Sequence, residues 1–149
     1  MKKTIKKIAC AALCAVMLFC MAVPAFADRS TSFSYTTMYN GAQVYRVGSI
    51  SGSTASASMT LSFLPNVAHF PPSDYSTAII VIGFSFGGQW LGQSESSSPC
   101  GLYCSESFTA GSKMPLRSAT CKFFLDPNPK FNLYPLSTQT PDYTDALSK

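Results

Sequence analysis

From Ala55 to Phe63 the chain puts an apolar side chain at every second position. Ala55, Ala57, Met59, Leu61 and Phe63 alternate with Ser56, Ser58, Thr60 and Ser62. Successive side chains point to opposite faces of a strand, so this period of two describes a strand with one packed face and one hydroxylated face. A helix would scatter the same residues around its circumference. A single strand of this kind has to find pairing partners, so the segment commits the chain to a sheet with one buried side.

The rest of the chain supplies those partners. Thr31 to Tyr39 alternates, with Phe33, Tyr35 and Tyr39 on one side, and runs into Asn40-Gly41. Asn-Gly is the strongest short hairpin signal, because both central positions of the turn need φ > 0. Gln43 to Ile50 is then the returning strand. Pro65 and Pro71-Pro72 mark a loop, since proline has no N–H to give a ladder. Thr77 to Phe86 contains the apolar run Ala78-Ile79-Ile80-Val81-Ile82 and reads as a strand buried on both faces. Gly87 to Pro99 reads as a polar loop. Residues 102–109 and 117–125 read as two adjacent strands around a turn near Gly111. From Asp126 onward Pro127, Pro129, Pro135 and Pro141 point to an extended arm or tail. The expected class is all-β: a small antiparallel β-sandwich or open barrel of about six strands, without a helix in the folded part.

Ahead of this domain lies a different kind of segment. Lys2, Lys3, Lys6 and Lys7 precede an uncharged apolar run from Ile8 to Val23, followed by Pro24-Ala25-Phe26-Ala27. A basic start, an apolar stretch and a small-x-small ending describe a cleaved secretory signal over residues 1–27. The run falls short of the roughly 20 residues needed to cross a bilayer, so no stable membrane anchor is expected. The reading divides the chain into a signal at 1–27, a secreted β domain at 28–125 and a Pro-rich arm at 126–149. Removing the signal leaves 122 residues carrying seven basic and seven acidic side chains. The formal charge of +4 on the whole chain therefore reports targeting. A neutral domain lacks the basic field that nucleic acid requires.

Several local patterns suggest chemistry. Ile79 to Gly88, an apolar strand entering Gly83-Phe84-Ser85-Phe86-Gly87-Gly88, resembles the nucleophile elbow of the α/β-hydrolases. The resemblance covers about ten residues and implies Ser85 as a nucleophile. The chain departs from that family elsewhere: its one histidine, His69, precedes Ser85, and no helix pattern follows Gly88. A core strand bent by glycines accounts for the same residues. Cys100, Cys104 and Cys121 remain after cleavage, and export favours oxidation. One disulfide and one free thiol are expected, with Cys121 bonded to Cys104 or Cys100 across neighbouring strands. Two sharper readings compete. The three cysteines with His69 have a donor set that suits tetrahedral zinc, and a cysteine with His69 could form a nucleophile–base pair. The carboxylates are scattered, and the chain has neither a calcium loop nor a Gly-rich phosphate loop.

The expected function is a secreted, non-catalytic binding or interaction domain that needs no cofactor or metal. Trp90, Tyr75 and Tyr103 are the candidates for an exposed aromatic surface facing an extracellular glycan, peptide or cell-wall polymer, or a second copy of the chain. A membrane-active toxin or bacteriocin-like protein is the alternative, because the alternation from Ser51 to Phe63 also resembles the stem of a β-barrel pore. A small secreted hydrolase comes third.

Overall fold

The computed structural model describes residues 31–69, 71, 75–99, 101–111, 115–126 and 140–149. Residues 1–27, Cys100 and the prolines at 127, 129 and 135 lie outside them. The described chain forms β1 (Thr31–Tyr39), β2 (Ala42–Ser51), β3 (Thr54–Phe63), β4 (Ser76–Phe84), β5 (Trp90–Ser98), β6 (Tyr103–Thr109), β7 (Ser118–Asp126) and β8 (Tyr143–Ser148). They make two antiparallel four-stranded sheets, ordered β1-β2-β3-β6 and β5-β4-β7-β8, packed as a sandwich. β6 lies over β4 and β5, while β1 and β2 lie over β8.

The expected hairpins form. Asn40 and Gly41 take φ of 46° and 80° and join β1 to β2 in a two-residue turn. β3 adds directly to β2, with Ala55, Ala57, Met59 and Leu61 turned into the interior. β4 is the central apolar strand and is buried on both faces. Ile79 and Val81 enter the main core, whereas Ala78 and Ile80 join Phe124 in a smaller cluster on the other side of the sheet.

Two strands exceed the expected six. Gly87 to Pro99, read as a loop, contains β5. Its inward positions Ser94, Ser96 and Ser98 pair with Val81, Ile79 and Thr77. They are small because the opposite sheet fills the space above them: the Cys104 thiol reaches Ser96 O at 3.5 Å, and the Phe108 ring covers Gly92. β8 lies in the stretch read as an arm. Its inward residues are Tyr143, Asp145 and Leu147, and a carboxylate in the middle hides the alternation.

That carboxylate has a partner. The inward row of β2 is Ala42, Val44, Arg46, Gly48 and Ile50, and Arg46 is 5 % exposed. Its Nε donates to Asp145 Oδ2 at 2.9 Å and its Nη1 to Thr37 Oγ1 at 2.9 Å. The guanidinium lies 3.9 Å from the Tyr143 ring centroid, with the Tyr35 and Phe123 rings at 5.8 Å. Charge, hydrogen bonds and ring faces thus join the two sheets at the β2–β8 side.

Glycines in the sheets are covered by rings. Gly48 stands opposite Phe33 in the β1–β2 ladder, and the Phe33 ring lies over it. Gly83 and Gly92 stand opposite each other in the β4–β5 ladder, and the Phe108 ring, from the other sheet, lies over both.

Candidate functional site

The structure separates the three aromatic candidates. Tyr75 is fully buried just ahead of β4. Its ring packs on Phe63 at 5.4 Å, and its hydroxyl donates to Asn40 O at 3.2 Å. Tyr75 shares the inward parity of Thr77, Ile79 and Val81, so the alternation of β4 carries it into the core. Trp90 and Tyr103 are exposed, at 60 % and 55 %. They do not form one surface. β5 and β6 run antiparallel, and Tyr103 sits by the Ser96 end, roughly 20 Å along the strand from Trp90.

The cysteines are not stapled as expected. Cys104 and Cys121 are free buried thiols, and they belong to different sheets, Cys104 on β6 beside β3 and Cys121 between β4 and β8. The two strands are consecutive in this part of the chain but not neighbours in a sheet. Cys121 does face the core, as its alternation with Phe123 and Leu125 implies. His69 is exposed and stacks on Phe63 at 4.3 Å. Among the described residues no three His, Cys, Asp or Glu side chains gather as a metal site.

Burial pushes the Cys121 thiol up to about 12, with the Asp145 charge adding to the effect. Cys104 is also raised, chiefly by burial. An unfolded thiol ionises near 9.0, whereas folded Cys121 keeps its proton to about 12. The unfolded state therefore binds fewer protons in that window, and stability falls as pH rises through it. The slope contributed by Cys121 is about 1.4 kcal/mol per pH unit. Denaturant midpoints between pH 8 and 11 should fall more steeply for wild type than for Cys121→Ala; equal slopes would refute the assignment.

Ser85 lies in the turn after β4, not at a strand–helix elbow. Its Oγ donates to Phe86 O at 3.1 Å, and Gly87 and Gly88 take φ of 86° and 78° to close the β4–β5 hairpin. His69 is at the other end of the sandwich, separated by the length of β4, about 30 Å. Of the glycines in the elbow resemblance, Gly87 and Gly88 serve a hairpin and Gly83 lies within β4 beneath the Phe108 ring.

One surface combines hydroxyls, an aromatic ring and concavity. The outward residues of β2, β3 and β6 align in rows across the first sheet: Ser49–Ser56–Ser107, Val47–Ser58–Ser105 and Tyr45–Thr60–Tyr103. Between the first two rows runs the inward row Gly48–Ala57–Glu106, whose backbone forms a floor. The result is a depression of about 400 Å³ bordered by Ser49, Ser56, Ser58, Ser105 and Ser107, with Tyr103 at one end. Ser49 and Ser56 hydrogen-bond across the strands at 3.1 Å. None of the lining residues is basic, and Glu106 lies on the inward parity of β6 with Cys104 and Phe108. Strand spacing makes the depression about 10 Å across three strands and about 7 Å between rows. Tyr103 belonged to the expected surface. The serine rows were visible as alternation in β3, but their alignment across strands depends on the register. Protein-family models, curated proteins and solved structures were all compared with the chain, and none matches it.

Proposed function

We propose that the protein is a secreted, non-catalytic binding domain that holds a neutral glycan on the outer face of the β1-β2-β3-β6 sheet. The observation that supports this reading is the serine-bordered depression with Tyr103 at its end. A hydroxyl both donates and accepts, so a fixed grid of serines complements the vicinal hydroxyls of a sugar without imposing a charge. The exposed Tyr103 ring offers a flat apolar face for the C–H side of a pyranose, and its phenol adds a hydrogen bond. The absence of lysine and arginine from the lining favours a neutral polymer over an anionic one.

Tyr103→Ala should weaken binding of neutral oligosaccharides about tenfold or more, as expected for loss of a stacking ring. Ser58→Leu should obstruct the depression outright. Glycan-array screening followed by calorimetry provides the measurement. Both side chains face solvent, so the thermal melts should stay close to wild type. If no neutral glycan binds below millimolar concentration, or if Tyr103→Ala binds as well as wild type, the reading is wrong.

A further inference from the structure

The β4–β5 hairpin projects an apolar tip at the Phe84 end of the sandwich. Phe86 is 84 % exposed and Trp90, the first residue of β5, is 60 % exposed. The turn is ordered by its own backbone: Ser85 N donates to Gln89 O at 2.9 Å, and Gly88 N to Ser85 O at 3.1 Å. Among the described residues nothing lies within 4 Å of where side chains at Gly87 or Gly88 would begin, so the tip stands clear of the described strands. A cationic residue flanks it. Exposed Arg117 is tied to the base of the hairpin through its N–H to Phe84 O at 2.8 Å, and the backbone N–H of Lys149 bonds Arg117 O at 3.0 Å, while the Lys149 ammonium turns back to donate to Gly52 O at 2.6 Å. The described acidic residues sit further along the strands. Glu95 is opposite Ile80, Glu106 opposite Ala57, Asp126 opposite Ser76, Asp145 opposite Cys121, and Asp142 beside Leu125.

We propose that this hairpin docks the protein on an anionic bilayer surface, with Phe86 and Trp90 in the interfacial layer and Arg117 facing the headgroups. Tryptophan favours the membrane–water interface, and a basic side chain beside it gains from the negative potential of anionic lipid. A protein pocket is a poorer match, because a hot spot needs a surrounding rim that excludes water, and Phe86 stands in open solvent. The site is independent of the serine depression.

Trp90 is the only tryptophan, so its emission reads the site directly. The purified protein is titrated with phosphatidylcholine vesicles, and with vesicles containing one third phosphatidylglycerol. A blue shift with the anionic vesicles, quenched by brominated acyl chains and weakened by salt, is expected. Phe86→Ser should lower partitioning about tenfold, the scale of one buried aromatic ring. It should leave the thermal melt and glycan binding unchanged. Arg117→Gln should weaken binding to anionic vesicles several-fold. An unchanged emission with both vesicles overturns the proposal. So does an equal, salt-insensitive shift with both, and so does binding that requires a membrane protein in the vesicle.

Discussion

Arg46→Ala should cost about 3–5 kcal/mol, the range for removing one partner of a buried ion pair. The side chains of Arg46 and Asp145 are only 6 % and 12 % exposed. Truncation leaves the Asp145 carboxylate beside the Cys121 thiol without its cation, and it also removes the group that fills the space between Tyr143, Phe123 and Tyr35. For a domain of this size the melting temperature should fall by about 10–20 °C. Arg46→Lys should recover only part of the loss, because an ammonium lacks the planar fork that reaches Thr37 and Asp145 while stacking on Tyr143. The double variant Arg46→Met with Asp145→Leu should be more stable than Arg46→Ala alone, since no charge is then left unpaired. A loss below about 1 kcal/mol for Arg46→Ala would mean that water reaches Asp145 and that the pair does not join the sheets.

The same pair explains what could be read from the residues in order. β1 and β3 follow from alternation, β2 from its position after Asn40-Gly41, and β4 from a continuous apolar run that is buried on both faces. The inward position of Arg46, between Val44 and Gly48, already signals a buried charge. Its partner is 99 residues away, in a strand whose alternation the partner itself interrupts. β5 was obscured for a different reason. An edge strand whose inner residues are serines shows no apolar period when side chains of the facing sheet fill its space. Tyr75 was the reverse case: a residue grouped with the exposed aromatics although its parity with Ile79 and Val81 places it inside. The serine depression depends on register between β2, β3 and β6, and β6 is separated from β3 by β4 and β5 in the chain. Nothing local specifies that pairing.

A second large effect is expected at the glycine pair. Phe108→Ala should destabilise by about 2–4 kcal/mol, through lost burial and through exposure of the β4–β5 backbone that the ring covers. Gly83→Ala should cost about 1–3 kcal/mol, because a methyl group there meets the Phe108 ring and approaches Leu116 Cδ1 to 2.7 Å. The two sites share one volume, so they should not behave independently. In the double variant the methyl group occupies space vacated by the ring. Its total loss should fall short of the sum by about 1 kcal/mol or more, measured as a double-mutant cycle in denaturant. Strict additivity would show that the methyl group at Gly83 is accommodated without displacing Phe108, and that the ring is not the cover for this glycine pair.

The position of Asp145 also bears on how a growing chain acquires its structure. β8 follows the other seven strands in the chain, so it leaves the ribosome after them. β1, β2 and β3 can pair locally as soon as they emerge, and Arg46 then already points into the interior side of the sheet. Until residues 143–148 dock, its guanidinium has no carboxylate and the β7 edge lacks the β8 ladder. The unfinished domain therefore keeps a cation at its seam. That charge works against premature dry collapse. The β8 strand both completes the described sheet and brings the carboxylate that pairs with the interior cation.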